Sequence, residues 1–149
     1  MNKQDYGRQI KFYGETILQF SSVKTTDGLP SLAIEMTSKE SGWGDKSIVM
    51  QLRPIEELTQ LALFVHPKNR ENDLKIQRNM AAPKVLSLKY NEDGSLFIGI
   101  YDNKKQLSYS KVLGKIQQFS LLMMVYTRIA ALYECSVSDV KEILADLIV

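Results

Sequence analysis

Two sets of short strand-like segments, each followed by a helical pattern, predict an α+β fold built from two antiparallel sheets. Three observations carry that expectation. Consecutive strand patterns are separated by short turn signals, as antiparallel hairpins require. The order of strands followed by a helix occurs twice, as a duplication of pattern without duplication of sequence. At 149 residues, 44% hydrophobic and 24% charged, the chain can bury one ordinary globular core.

In the first set, Gln9–Tyr13 is a short strand ending at Gly14, and Thr16–Lys24 is a longer one rich in β-branched and aromatic residues. Thr26-Asp27-Gly28 with Pro30 signals a loop. Ser31–Thr37 then alternates, with Leu32, Ile34 and Met36 on one face and Ala33 and Glu35 on the other. A polar loop, residues 38–46, holds Gly42-Trp43-Gly44. The fourth strand, Ser47–Leu52, turns Ile48, Met50 and Leu52 inward. Pro54, with Glu56 and Glu57 near the positive end of the dipole, opens a helix whose buried stripe is Ile55, Leu58, Leu61, Ala62 and Val65. His66-Pro67 stops it, because proline cannot continue a helix.

In the second set, Leu74–Arg78 is a fifth strand and Asn79–Pro83 a break. Lys84–Tyr90, the turn Asn91-Glu92-Asp93-Gly94 and Leu96–Tyr101 form a hairpin, with Gly94 supplying the left-handed turn residue. Residues 102–105 turn again into Gln106–Ser110. A long helix follows. Val112, Ile116, Phe119, Met123, Tyr126, Ala130 and Tyr133 recur at steps of four and three. This stripe is expected to pack on the protomer's own sheets. The adjoining stripe, Leu122, Val125, Ile129 and Leu132, is expected to face a second copy in a homo-oligomer.

Residues 1–133 thus read as one domain and residues 134–149 as an acidic amphipathic helix, opened by the capping pattern Ser136-Val137-Ser138-Asp139. The charge is divided in the same way. The net charge of +2 hides −3 in residues 134–149 and +5 in the rest, a balance compatible with a polyanion. The last two helices faintly suggest a helix-turn-helix on duplex DNA, but Asp139, Glu142 and Asp146 would meet its phosphates. The acidic helix is better suited to packing on the protein, or to recruiting a replication or recombination protein. A protein-binding adaptor without nucleic acid is the third class the pattern allows.

Nothing in the sequence suggests an enzyme. The lone histidine, His66, sits at a helix end, and the lone cysteine, Cys135, has no second histidine to activate it and no cysteine to pair with. No spaced acids, phosphate-binding loop or metal-ligand cluster stands out, so no cofactor is expected. The longest apolar run in the long helix, Leu121–Tyr126, is far below the roughly 20 residues of a membrane span. The N-terminus lacks an apolar signal core. A cytoplasmic protein with no membrane contact is expected.

The succession resembles the Whirly proteins and the wider superfamily of single-stranded-DNA-binding transcriptional regulators that includes positive cofactor four. The matching pieces are residues 14–20, residues 42–52 before the first helix, and residues 84–95 leading to the long apolar helix; together they span about residues 8–133. The resemblance implies a two-sheet fold and non-sequence-specific binding of single-stranded DNA in replication, recombination or transcription. The plant family's Lys-Gly-Lys-Ala-Ala-Leu signature is absent, and the nearest stretch, Gly7-Arg8-Gln9-Ile10-Lys11, is not equivalent. That family's higher assembly is therefore not carried over.

Single-strand binding needs aromatic faces for stacking and cations along the phosphates. With Leu96, Ile98 and Ile100 inward, Phe97 and Tyr101 turn outward with Gly99 between them. Trp43, beside Lys39 and Lys46, is a second stacking candidate. Lys11 with Tyr13, and Lys89 with Arg78, complete the expected set for single-stranded DNA, with RNA left open.

Overall fold

The computed structural model describes residues 8–77 and 83–148. Two four-stranded antiparallel sheets are each followed by helix, so the α+β expectation holds. The first sheet comprises β1 (Gln9–Phe12), β2 (Thr16–Lys24), β3 (Pro30–Ser38) and β4 (Ile48–Gln51), in that order. The second comprises β5 (Asp73–Gln77), β6 (Lys84–Tyr90), β7 (Leu96–Asp102) and β8 (Leu107–Leu113), again in chain order. Both are meanders, which simple alternation and short turns specify. The expected turn of Asn91–Gly94 closes with the Gly94 amide donating to the Asn91 carbonyl at 3.0 Å, and Gly94 has φ +86°.

Register fixes the faces. Phe20 lies opposite Ile34, which lies opposite Met50; Leu86 lies opposite Ile100. All five side chains are buried in one core shared by both sheets and the helices. Lysines stitch the sheets together. Lys111 Nζ donates to the carbonyls of Tyr13 (3.0 Å) and Thr16 (2.9 Å), and burial lowers its pKa. Lys105 Nζ reaches the carbonyls of Asp45 and Ser47, and Lys84 Nζ that of Val49. Carbonyl dipoles thus accept from three cations that composition alone would assign to a free basic surface.

The first helix departs from expectation. Pro54–Leu58 forms a π-helical turn, and the α-helix proper, α1, is Thr59–Val65. The wider turn shifts the azimuth of its first residues, so Ile55 is exposed and Glu57 is buried, its carboxylate accepting from the Arg53 amide at 2.8 Å. Leu58, Leu61, Ala62 and Val65 are inward as expected. His66 ends the helix with its ring buried. Its Nδ1 accepts from the Lys68 amide, and Nε2 lies 3.0 Å from the Lys141 carbonyl.

The long helix, α2 (Lys115–Tyr133), begins three residues later than the apolar pattern suggests, because Val112 belongs to β8. The expected assignment of its stripes is reversed. Val125 (0% exposed) and Ile129 (5%) are core, and Leu122 is half-buried against it. Leu132 is also half-buried. The stripe expected inward is mostly outside: Ile116 is 84% exposed and Phe119 62%, with Met123 and Tyr133 exposed as well, though Tyr126 and Ala130 are buried. Arg128 explains the orientation. Its guanidinium donates to the carbonyls of Val23 (2.6 Å) and Ser31 (2.9 Å), which holds one side of α2 against the first sheet. The last helix, α3 (Val137–Leu147), packs on α2 through Val140 and Leu144, and Ser136 caps it by accepting from the Asp139 amide. No helix among the described residues is long and apolar enough to cross a membrane.

Candidate nucleic-acid interface

The solvent face of the second sheet follows from its register. Leu96, Ile98 and Ile100 are buried, so Phe97, Gly99 and Tyr101 point the other way. Across the sheet, Lys89 on β6 lies opposite Phe97, and Val112 on β8 flanks it from the other side. Ser87 and Ser110 flank Gly99, and Val85 and Ser108 flank Tyr101. Lys75 on β5 pairs with Ser87, which places a second lysine on this face. The small residues leave a shallow depression of about 290 Å³ between the two rings.

Gly99 permits a close approach here. A Cβ at this position would meet Phe97 Cζ at 3.0 Å and Cε1 at 3.1 Å, so the phenyl ring lies across the glycine. Phe97 is half-buried, with Gly99 beneath its ring. Tyr101 is 37% exposed and its hydroxyl lies 3.2 Å from Asn103 Oδ1. Two aromatic rings, four residues apart on one strand, thus stand on a face that also carries lysines.

Lys11 and Trp43 form a second group. Lys11 is on the outer face of β1, with its Nζ 5.7 Å from the centre of the Trp43 ring, a cation–π contact. Trp43, in the loop between β3 and β4, is exposed, as are Tyr13, Lys39 and Lys46. The Thr37 hydroxyl, donating to the Gly42 carbonyl at 2.6 Å, ties that loop to β3. Tyr109 on β8 donates to the Lys46 carbonyl at 2.5 Å, which fixes its other end. Tyr109 and Lys111 both leave the inner face of β8, opposite to the side that carries Phe97 and Tyr101. The structure therefore does not gather all the expected residues into one patch. Lys89, Phe97 and Tyr101 share one surface, Lys11 and Trp43 share another, and β8 lies between them. Arg78 lies outside the described residues.

Lys75, Ser87 and Ser110 are members of the first surface that the sequence reading does not select. The alternation Leu74-Lys75-Ile76 already carries the signal, but only the pairing of β5 with β6 places Lys75 opposite Ser87 and diagonal to Lys89, with Asp73 directly opposite Lys89. Compared with known protein families and with curated proteins, the chain matches none. The fold and this surface define it as a two-sheet α+β protein with an aromatic, lysine-flanked sheet face.

Proposed function

We propose that this chain binds single-stranded DNA without sequence preference, using the outer face of its second sheet, in replication, recombination or transcription in the cytoplasm. The observation that carries this reading is the pair Phe97 and Tyr101, turned outward around Gly99 with Lys89 opposite Phe97. Every base has a π face, so aromatic platforms accept any sequence, and nearby ammonium groups neutralise the phosphates between stacked bases. Trp43 and Lys11 extend the track beyond β8. A base stacking on the Lys11 side of Trp43 would displace Lys11 toward the adjoining phosphate. Association of several copies through the exposed side of α2 would lengthen the track. The acidic outer face of α3, with Asp139, Glu142 and Asp146, is poorly suited to a DNA groove.

The test is fluorescence titration of the single tryptophan with oligothymidine and with a duplex of equal length. Tighter binding of the single strand, and an affinity falling steeply with added salt, support the reading. Equal affinity for duplex, or no binding at low salt, defeats it.

A further inference from the structure

The exposed side of α2 borders a groove of about 620 Å³, closed on its other side by Arg8, Ile10 and Ser22 of the first sheet's edge. Its floor is apolar, with Phe119, Met123 and Met124, and its rim is basic, with Arg8 and Arg128. Arg128 donates to the carbonyl oxygens of Ser31 and Val23, which orient the guanidinium but do not neutralise it. Burial accordingly lowers its pKa. An occupant with apolar side chains and carboxylates suits such a groove, its aliphatic groups against Phe119, Met123 and Met124 and its carboxylates against the arginines.

The chain carries that chemistry on α3. Ile143 (58% exposed) and Leu147 (62%) stand one turn apart on its solvent side. Asp139, Glu142 and Asp146, all exposed, flank them on one side of the helix. The other side is taken up within the protomer by Val140, Leu144 and the His66–Lys141 contact. The protomer's own α3 is pinned in this way, with Ile143 and Leu147 facing out, so the matching occupant comes from another copy.

We propose that the outer face of α3 of one copy docks into the α2–β1 groove of the next, apolar against apolar and acid against arginine. The two surfaces differ, so the contact is head-to-tail and generates rings or open chains rather than a closed two-fold dimer. This deepens the proposed association of copies and does not depend on DNA, so its primary readout is the association state.

The experiment is light scattering across dilution on the wild type and two variants substituted at exposed positions. One variant carries Ile143→Lys with Leu147→Lys on the docking helix, and the other carries Met123→Glu in the groove. Thermal melts within a few degrees of wild type establish that each is folded. The expected result is that the wild type associates, more weakly at high salt, and each variant alone is monomeric. An equimolar mixture of the two should form a one-to-one dimer, because one intact groove then meets one intact helix. A wild type that stays monomeric at high concentration overturns the proposal, as does a mixture that stays monomeric. A docking-helix variant that still associates like wild type also overturns it, since α2 would then be pairing with itself. If the wild type is monomeric alone but Met123→Glu abolishes oligothymidine binding, the groove belongs to nucleic acid and the proposal fails.

Discussion

Gly99→Ala isolates the stacking surface from the stability of the fold. The added methyl would lie 3.0 Å from Phe97 Cζ and 3.1 Å from Cε1, with the Tyr109 carbonyl at a comfortable 3.6 Å. Both distances are tighter than ordinary van der Waals contact, so the ring must withdraw by a few tenths of an ångström. It can do so by tipping outward, because the ring is only half-buried. Replacing a strand glycine also recovers about 0.5–1 kcal/mol of chain entropy, which offsets the displaced contact. The net change in stability should therefore stay within about 1 kcal/mol. Binding should suffer more, since a tipped ring no longer offers its face alongside Tyr101. Losing one stacked base removes roughly 1–3 kcal/mol, or about 5- to 150-fold in affinity for oligothymidine. The assay is the tryptophan titration at fixed salt, paired with a urea melt. An unchanged affinity in a folded variant would remove Phe97 from the binding surface and refute the reasoning. A stability loss of several kcal/mol would instead make the Phe97–Gly99 contact a structural one.

Tyr101→Ala and Trp43→Ala should each weaken oligothymidine binding while preserving a cooperative melt, with anisotropy of a labelled oligonucleotide as the readout because Trp43 is the only tryptophan. Loss of the melt in either case would make that ring part of the core. Arg128→Met removes two charge-assisted bonds to Val23 and Ser31 and should cost about 3–5 kcal/mol in a urea melt; a loss below about 1 kcal/mol would mean α2 is held by packing alone. The Tyr126 hydroxyl is buried without a hydrogen-bond partner among the described residues, so Tyr126→Phe should leave stability unchanged or raise it by about 1 kcal/mol. Burial, with Tyr90 nearby, pushes the Tyr126 pKa up to about 12. The folded state then holds this proton more tightly than an unfolded tyrosine at about 10. Its stabilising share is present below pH 10 and is lost as pH rises toward 12, a decline that Tyr126→Phe should reduce.

The sequence by itself determined the local structure. Period-two alternation in Leu32-Ala33-Ile34-Glu35-Met36 and in Leu96-Phe97-Ile98-Gly99-Ile100-Tyr101 specifies both a strand and the face that each residue occupies. That is why Phe97 and Tyr101 could be placed outward before any pairing was known. The tertiary structure decided what local periodicity cannot carry. On α2, two adjacent apolar stripes each satisfy a helical period, and nothing within the helix distinguishes them. The choice was made by the partners it packs against, above all the carbonyls of Val23 and Ser31 that capture Arg128 about a hundred residues away in sequence. The same holds for the basic residues. Lys84, Lys105 and Lys111 carry charges indistinguishable in sequence from those of Lys75 and Lys89. Only the meeting of the two sheets turns the first three onto backbone carbonyls and leaves the other two beside an aromatic face.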